Sequence, residues 1–427
     1  MIASFYVVLS YLTLPFLVLR LFLKSFKQPA YGKRIKERLG IFSAPRISVW
    51  IHAVSLGEVI AAAPLIEKLI AEHNRPNIML TTTTPTGSEK ALALFKDRVF
   101  HVYAPFDVPC IVRRFLNKIQ PKLVIIMETE LWPNWFLACK KKNIPIIIAN
   151  ARLSPQSQEG YNRIRSLTAM TLNCVDKLLA QTNEDAKRFI ELGISPDKVS
   201  ILGNIKFDLT IPDNIHEKAQ SFRTLWQKDR LVWIAGSTHH REEEVVFNAF
   251  KLIKKEYPSA LLILVPRHPE RFEKMATLSQ NVGFNTVLRT SIENTPPEKL
   301  VEMDVLLGNT IGEMLLFLAS SDVAFIGGSI IPQGGHNILE PAALYVPIIT
   351  GPHMFNFQKI YDEFLQAESM ITINDAEDGA SLAQAVSSLF ANPLLREEYA
   401  SLGFKIIERN QGALEKHLNV IRSYNIN

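Results

Sequence analysis

Two acidic residues and one lysine in the first half of the chain follow apolar, strand-like segments, where side chains can act on a bound molecule. Glu58 stands in "HAVSLGEVIAAAP", directly after a glycine and where a strand pattern changes to helical spacing. A carboxylate at this point can take a proton from a hydroxyl group. The alternative is that Glu58 is only a first-turn acid. The adjacent helix start predicts a low pKa for its carboxyl.

Glu128 and Lys206 have similar positions after other strand-like segments. "IIMETELWPN" ends an apolar run with Glu128 and Glu130, and "LGNIKFD" places Lys206 near the middle of the chain. A lysine there can neutralise negative charge that develops during a reaction. A solvated surface lysine is the alternative for Lys206.

A loop rich in glycine stands in the second half of the chain. "GGSIIPQGGHNILEPAA" covers residues 327–343 and combines two glycine pairs with a predicted helix start. Glycine lets backbone approach a ligand closely, and free N–H groups at a helix start suit a phosphate. Glu340, one turn into this helix, can accept hydrogen bonds from sugar hydroxyls. The alternative is that the glycines only form tight turns and Glu340 only complements the helix dipole.

Two further loops of the same half have the character of a phosphate site. "LVPRHPERF" ends a strand pattern with Pro266 and Arg267, and a guanidinium can bind a phosphate or carboxylate with two parallel hydrogen bonds. "LLGNTIGEM" predicts a helix that starts at about Gly312. The three loops together predict a nucleotide site. The chain has no Gly-x-x-x-x-Gly-Lys motif, which argues against a P-loop ATPase.

The elements that must position these residues alternate between short apolar strands and amphipathic helices. "ISVWIHAV", "NIMLTTTT", "KLVIIM" and "IPIIIAN" form one series, which breaks at Phe207–Ile215, and "LVWIAGS" begins another. This alternation predicts an α/β protein with two Rossmann-like domains that face a cleft. Open α/β sheets bind ligands at the carboxyl ends of their strands. The predicted boundaries are an anchor at 1–26, a first domain at 27–207, a linker at 208–229 and a second domain at 230–427.

The N-terminal segment has the composition of a membrane helix. Ile2–Leu19 contains no charged residue, and at ~1.5 Å per residue it nearly crosses a ~30 Å hydrocarbon core. The cations that follow place the bulk of the protein on the cytoplasmic side. Two alternatives stay open: a cleaved signal peptide, and a helix that lies in the membrane interface because the run is short and contains Pro15. The cations are Arg20, Lys24, Lys27, Lys33, Arg34, Lys36 and Arg38.

Composition adds two weaker constraints. The net charge of +5 fits an acidic ligand or an anionic membrane surface, but it is also common in ordinary cytosolic proteins. The three cysteines form no Cys-x-x-Cys pair, which indicates a reducing compartment and argues against a structural zinc site. The chain also contains no Asp-x-Asp motif for metal and nucleotide binding.

Eight motifs in order resemble one enzyme family over nearly the whole chain. They are "HAVSLGE", "TTTTPTGSE", "METELWPN", "NARLS", "GNIKFD", "LVPRHPERF", "GGHNILEPAA" and "GPHMFNF". The set is similar to the Kdo transferases (3-deoxy-D-manno-oct-2-ulosonic acid transferases) of lipopolysaccharide assembly. The resemblance implies a GT-B glycosyltransferase on the cytoplasmic side of the inner membrane. It also implies CMP-Kdo as donor, a lipid A precursor (lipid IVA) as acceptor and no nucleic-acid partner.

The resemblance also implies roles for individual residues. Glu58 corresponds to the base of an inverting transfer, and Glu128 and Lys206 correspond to residues that stabilise the transition state. The first domain would bind the acceptor and the second the donor. No cofactor or metal is expected, because CMP-Kdo has a single phosphate and no diphosphate to bridge. The implied CMP contacts are Pro266, Arg267, Ile311, Gly312, Glu313, Asn337, Ile338, Leu339 and Glu340.

One position departs from the family pattern, and two other functions remain as alternatives. In "AGSTHHREEE" the family usually has glycine where this chain has Arg241, which leaves the local loop geometry open. A membrane-anchored nucleotide or lipid binder would bind ligand without turnover. A sugar-nucleotide epimerase with two Rossmann-like domains would not need the anchor.

Overall fold

The computed structural model describes residues 2–72, 77–374, 378–424 and 426, and the chain forms two compact units. The first unit comprises Met1–Asp208 and Asn410–Asn427, and the second comprises Leu209–Arg409. Each unit is built on a seven-stranded sheet in which every strand pair is parallel. The predicted α/β class with two Rossmann-like domains is therefore confirmed.

The first sheet has the strand order β3-β2-β1-β4-β5-β6-β7. Its strands are β1 (Val49–His52), β2 (Ile78–Thr82), β3 (Phe100–Tyr103), β4 (Leu123–Met127), β5 (Ile146–Ala151), β6 (Lys177–Ala180) and β7 (Val199–Ile201). Both faces of this sheet are buried, since Trp50 belongs to one hydrophobic cluster and its neighbours Val49 and Ile51 to another. This explains why the strands have continuous apolar sequences instead of alternating ones.

The helices of the first unit precede and connect these strands. They are α1 (Ile2–Lys27), α2 (Ile35–Arg38), α3 (Leu56–Glu72), α4 (Pro85–Phe95), α5 (Pro109–Ile119), α6 (Pro133–Lys141), α7 (Pro155–Asn162), α8 (Arg165–Leu172) and α9 (Asn183–Glu191). Four of them begin with proline at the first helical position, where the missing N–H costs no hydrogen bond.

The second sheet has the strand order β10-β11-β9-β8-β12-β13-β14. Its strands are β8 (Val232–Thr238), β9 (Leu261–Pro266), β10 (Thr286–Leu288), β11 (Val305–Leu307), β12 (Val323–Ile326), β13 (Ile348–Thr350) and β14 (Met370–Thr372). The remaining helices are α10 (Ile215–Arg223), α11 (Glu242–Glu256), α12 (Phe272–Asn281), α13 (Pro297–Glu302), α14 (Met314–Ala319), α15 (Leu339–Ala343), α16 (Gln358–Gln366), α17 (Ala380–Ala391), α18 (Pro393–Asn410) and α19 (Ala413–Arg422).

Each sheet reverses its strand order at one point. In the first sheet β1 pairs with both β2 and β4, and in the second β8 pairs with both β9 and β12. Chain connections leave in opposite directions at such a point, and the crevice between them is the usual ligand site of an open α/β sheet. The segments after β1, β4, β8 and β12 therefore define the two candidate sites.

The units differ from the predicted domain boundaries at both ends of the second domain. Residues 410–427 belong to the first unit, because Leu418 and Ile421 of α19 are fully buried in its hydrophobic core. The Asp208 carboxylate also accepts hydrogen bonds from the N–H groups of Gly412 and Leu414 at 2.6 and 2.7 Å. The predicted linker at 208–229 is largely folded, since it contains α10 and belongs to the second unit.

Helix α1 contacts the first unit with one face and exposes a large apolar face. The Tyr6 hydroxyl donates a hydrogen bond to the Asp107 carboxylate at 2.8 Å, and Ser10 is buried. Among the described residues, α1 is the helix long and apolar enough to cross a membrane by length and composition. The exposed apolar side chains are Ile2, Phe5, Val8, Leu9, Tyr11, Leu12, Phe16, Leu17, Leu19, Phe22, Leu23 and Phe26.

Candidate active site

Glu58 and Glu128 lie at the reversal point of the first sheet. Glu58 is in the first turn of α3, which follows β1, and Glu128 comes directly after β4, the strand that pairs with β1. Both side chains are largely buried. The structure thus brings together two of the residues that the sequence singled out.

The Glu58 carboxylate accepts hydrogen bonds from its own loop, from the N–H of Val54 at 2.8 Å and from the Ser55 hydroxyl at 3.3 Å. Burial, together with the nearby charges of Glu128 and Glu130, raises the pKa of this carboxyl to about 8, although the hydrogen bonds from Val54 and Ser55 oppose the shift. The predicted low pKa is wrong. A helix start contributes only ~0.3–1 kcal/mol, whereas one pKa unit corresponds to ~1.36 kcal/mol, so desolvation outweighs the helix start.

Glu128 is held by two cations in a strained backbone conformation. Its φ of 58° is in the left-handed region, which non-glycine residues rarely adopt. One carboxylate oxygen accepts a hydrogen bond from Arg152 Nε at 2.5 Å, and the other lies 3.6 Å from Lys206 Nζ. These two contacts pair the buried Glu128 carboxylate with cations next to Glu58, and they connect Lys206 to the same site.

Lys206 lies on a short 3₁₀ turn whose position is fixed by asparagine side chains. The Asn204 side chain accepts a hydrogen bond from the Lys206 N–H, and Asn150 Oδ1 accepts one from the Ile205 N–H, both at 3.1 Å. Asn150, at the end of β5, in turn donates its own N–H to His417 Nε2 of α19 at 3.0 Å. Lys206 is therefore positioned through contacts that reach the C-terminal helix.

In the second unit, Glu242 organises the glycine loop at the reversal point of the sheet. Its buried carboxylate accepts hydrogen bonds from the N–H groups of Gly328, Ser329 and Ile330 at 2.7–3.0 Å, and from His239 N–H at 3.0 Å. The N–H groups of residues 328–330 therefore already have an acceptor within the protein.

The predicted helix after the glycine loop is shorter than the sequence suggested. Helix α15 has five residues, and the side chains of Ile338 and Leu339 are buried in the protein interior, so only their backbone can reach a ligand. The Asn337 side chain accepts a hydrogen bond from the Leu339 N–H at 3.1 Å. Burial raises the pKa of the Glu340 carboxyl, and its hydrogen bond with Asn337 opposes that effect.

Arg267 and two stacked histidines lie near this loop. Arg267 is exposed after β9, which ends at Pro266, and its N–H donates to the Thr238 carbonyl at 2.9 Å. His239 and His336 stack with parallel rings, and their Nε2 atoms are 2.8 Å apart. Burial lowers the pKa of His336 to about 3, and the charge of Arg267 adds to the effect. The structure thus places Arg267 beside the glycine loop, as one nucleotide site requires.

The third predicted loop differs from its expected form. Helix α14 begins at Met314, not at about Gly312, because Gly312 has a φ of 91° and cannot belong to a right-handed helix. The Glu313 carboxylate is paired with Arg289 at 2.7 Å and accepts a hydrogen bond from the Thr310 hydroxyl. Ile311 is 84% exposed. This loop therefore offers an apolar side chain and open backbone to a ligand, and its carboxylate already has partners.

Comparison with known proteins identifies the family. A family model described as 3-deoxy-D-manno-octulosonic-acid transferase (kdotransferase) matches residues 33–209. The chain is 41% identical over 424 residues to a 3-deoxy-D-manno-octulosonic acid transferase of Haemophilus influenzae, with 98% of each chain covered. The chain belongs to the Kdo transferase family. A Kdo transferase of Bordetella pertussis is 31% identical, with 88% of this chain and 87% of the relative covered.

Solved structures with low sequence identity confirm the fold of this Kdo transferase family member. A UDP-GlcNAc 2-epimerase from Neisseria meningitidis has a TM-score of 0.53 at 16% identity and covers 88% of this chain and 100% of its own. A glycosyltransferase from Rickettsia africae has a TM-score of 0.51 at 16% identity and covers 89% and 99%. The GT-B type of α/β fold is therefore shared with both epimerases and transferases, and the sequence family distinguishes between them.

In this Kdo transferase family member, several residues of the site were not predicted from the sequence. Arg152 stands in "NARLS", a motif that carried the resemblance without any role for the arginine. Glu242 stands in the acidic run "REEE", which reads as a solvated helix start. No sequence pattern indicated a role for His417, because its hydrogen-bond partner Asn150 is 267 residues away in the sequence.

Proposed function

We propose that this chain is an inverting glycosyltransferase that moves Kdo from CMP-Kdo to a lipid A precursor, lipid IVA, in lipopolysaccharide core biosynthesis. The observation that carries the proposal is the arrangement of Glu58 and Glu128 at one sheet end, with Arg152 and Lys206 on the second carboxylate. Membership of the Kdo transferase family supports the same reaction.

Glu58 is the proposed general base. An acceptor hydroxyl gives its proton to the Glu58 carboxylate while the hydroxyl oxygen forms a bond to the anomeric carbon of Kdo. The bond between that carbon and the phosphate oxygen breaks, and CMP leaves with the bonding electron pair. A pKa of about 8 makes Glu58 a stronger base than an exposed glutamate at the cost of a smaller ionised fraction at neutral pH.

Lys206 and Glu128 are the proposed transition-state residues. The ammonium of Lys206 can oppose the negative charge that develops on the departing phosphate. The Glu128 carboxylate lies 3.6 Å from that ammonium and would hold it in position during the reaction. Arg152 supplies a second cation on the other carboxylate oxygen.

The donor is proposed to bind to the second unit through the implied CMP contacts. Arg267 would meet the phosphate or the Kdo carboxylate, Pro266 would pack beside it, and Glu340 with Asn337 would bind the ribose hydroxyls. Because Glu242 holds the loop N–H groups, cationic side chains contribute more to anion binding than the glycine backbone does. The proposed backbone contacts of 311–313 and of Ile338 and Leu339 complete this site.

Helix α1 is proposed to attach the protein to the cytoplasmic side of the inner membrane. Its exposed apolar face and the cations Arg20 and Lys24 suit an interface with anionic lipid. One face of α1 contacts the first unit through Tyr6 and Ser10, which favours a helix that lies in the interface over one that crosses the bilayer.

The proposal is tested by the product mass after incubation of the full chain with CMP-Kdo and lipid IVA. We expect a lipid product that is heavier by one or more Kdo residues, together with free CMP. Glu58→Gln should lower the rate by ~10²–10⁴-fold, and Glu89→Gln, which changes an exposed glutamate of α4, should have no effect. Binding of CMP-Kdo without any product would contradict a transferase and favour a binding protein.

A further inference from the structure

An apolar cavity of about 530 Å³ lies between α1 and the rest of the first unit. The α1 residues that line it extend from Tyr6 to Lys24, about 27 Å along the helix axis at ~1.5 Å per residue. One leaflet of a bilayer is about 15 Å thick, half of a ~30 Å hydrocarbon core. The cavity is therefore long enough for an acyl chain. Its main apolar side chains are Leu9, Leu17, Leu21, Phe106, Trp132 and Trp135.

A buried arginine, Arg38, lines the same cavity, and the charge of neighbouring Glu37 acts on it although Glu37 is paired with Arg34. Arg38 is 3% exposed, and its Nη2 donates to the Thr83 carbonyl at 2.8 Å while the guanidinium lies 4.1 Å from the Tyr103 ring centre. Its Nε has no hydrogen-bond partner, and within the described part of the chain Arg38 forms no ion pair. A buried cation with an unused donor indicates a site for an anionic group.

Asp107, the carboxylate in the cavity wall, forms no ion pair with Arg38 in the described part of the chain, because it has other hydrogen-bond partners. Asp107 accepts hydrogen bonds from the Tyr6 hydroxyl at 2.8 Å and from the N–H groups of Asn134 and Trp135 at 3.2 and 2.9 Å. Exposed Arg20 and Lys24 of α1 line the cavity as well, so the charge around it is mainly positive. An apolar cavity with cations at its wall is complementary to a lipid that carries phosphate.

The wall of the cavity is also hydrogen-bonded to the loop of the proposed base. Thr83 and Thr84 line the cavity, and their N–H groups both donate to the Val54 carbonyl, at 3.0 and 3.2 Å. The N–H of Val54 donates to Glu58 at 2.8 Å. Hydrogen bonds through Val54 therefore connect the wall of the cavity to the Glu58 carboxylate.

We propose that the cavity under α1 binds one acyl chain of the acceptor lipid, and that Arg38, with Arg20 and Lys24, binds a phosphate of its sugar. This inference rests on the proposed function and specifies how the acceptor is held. Helix α1 then has two roles. Its outer face contacts the membrane, and its inner face covers one acyl chain of an acceptor lipid that comes from the membrane.

The first test compares acylated with deacylated acceptor in steady-state kinetics of the full chain. Thr13→Phe fills the cavity from α1, whereas Leu12→Phe places the same aromatic side chain on the exposed side of the helix and serves as the matched control. We expect Thr13→Phe to raise KM for lipid IVA at least ~10-fold, with KM for the fully deacylated bisphosphorylated disaccharide unchanged. Leu12→Phe should change neither. Equal KM values for lipid IVA in the two variants would overturn the proposal.

The phosphate part of the proposal has its own variants. Arg38→Gln and Arg20→Gln should each raise KM for the bisphosphorylated disaccharide and leave KM for CMP-Kdo unchanged. Because Arg20 is exposed, its substitution tests the phosphate contact even if Arg38→Gln fails to fold. Unchanged KM for the disaccharide in the Arg20→Gln variant and in a folded Arg38→Gln variant would contradict a phosphate site.

The second test locates the chain directly and does not depend on turnover. Lipid IVA with a photoreactive acyl chain should label peptides of α1 and of residues 132–135, and Thr13→Phe should abolish this labelling. Stronger labelling by a photoreactive phosphatidylethanolamine would show a general phospholipid site and overturn the assignment to the acceptor. Absence of transfer to both acceptors, with labelling intact, would contradict the proposed function and not the lipid site.

Discussion

At the scale of single residues, the buried carboxyl of Glu58 determines the pH dependence of the proposed reaction. Its folded pKa of about 8 means that the base is largely protonated at pH 6 and largely ionised at pH 9. We expect kcat to rise about tenfold per pH unit below pH 7 and to level off above pH 8. The check is a pH profile of product formation. A profile that is flat between pH 6 and pH 8 would contradict Glu58 as the base.

The same raised pKa predicts an effect on stability. A carboxyl with a raised folded pKa binds more protons in the folded state than in the unfolded state, so stability falls as pH rises from about 4.5 to about 8. Glu58→Gln removes this loss. We expect the variant to melt at least about 2 °C above the wild type at pH 9, and to melt at the same temperature at pH 5. Calorimetry at the two pH values provides the measurement.

The sequence predicts the residues of this site better than their environment. Glu58, Glu128 and Lys206 stand in short motifs after strands, so their positions follow from the topology of a parallel sheet. Their contacts with Arg152 and Asn150 depend on how different strands meet, and no local pattern contains that information. The pKa of Glu58 could not be predicted either, because the burial of a loop carboxylate is a property of the folded chain.

At the scale of elements, the loop after β8 makes Arg241 unusual. Arg241 precedes α11 with a φ of 79°, in the left-handed region that favours glycine. A side chain in that conformation costs ~1–2 kcal/mol, part of which the flexibility of glycine in the unfolded chain offsets. We therefore expect Arg241→Gly to stabilise the second unit by about 1 kcal/mol. Arg241→Ala, which keeps the Cβ, should give no such gain in chemical denaturation.

The neighbouring Glu242 should be indispensable for the glycine loop. Glu242→Ala leaves the N–H groups of Gly328, Ser329, Ile330 and His239 without their acceptor, and each buried orphan donor costs ~1–3 kcal/mol. We expect a lower melting temperature of the second unit and a CMP affinity reduced at least ~10-fold. Glu244→Ala, on the exposed side of α11, is the control. Unchanged CMP affinity in a folded Glu242→Ala variant would place the nucleotide elsewhere.

Strands were predicted more reliably than short helices. The apolar runs of the sheets are long and buried on both faces, whereas β14 has three residues and its segment carries no comparable run. Helices α14 and α15 have six and five residues, and the glycines before them suggested earlier starts. Elements this short are fixed by contacts with the sheet, and their own sequences contain too few turns to define a period.

At the scale of the whole molecule, helix α19 belongs to the first unit, although it directly follows the second unit in the sequence. Leu418 and Ile421 are buried in the first core, and burial of each such side chain contributes ~1.5–3 kcal/mol. Removal of residues 410–427 should therefore lower the melting transition of the first unit and leave that of the second unit and its CMP affinity intact. Calorimetry with and without CMP distinguishes the two transitions. Loss of CMP binding would contradict this expectation and would support the predicted second domain, which extends to residue 427.

This boundary could not be predicted from the sequence, because the amphipathic pattern of a helix does not indicate which of two sheets the helix packs against. His417 shows the reason in detail. Its Nε2 accepts the N–H of Asn150, and its Nδ1 therefore carries the proton and donates to the Ala413 carbonyl at 2.7 Å. Such a contact between distant segments specifies a unique arrangement without leaving any local pattern.

The return of α19 to the first unit has a consequence for biosynthesis. During translation, the nascent chain exposes α1 and the seven strands of the first sheet before residues 410–427, which complete the core of that unit, leave the exit tunnel. The second unit, encoded later, has all its segments available first and can fold earlier, against the usual N-terminal-first order. The Lys206 turn, which depends on Asn150 and His417, is completed last. A chain that terminates early would therefore retain its nucleotide-binding unit and lack the support of the proposed reacting groups.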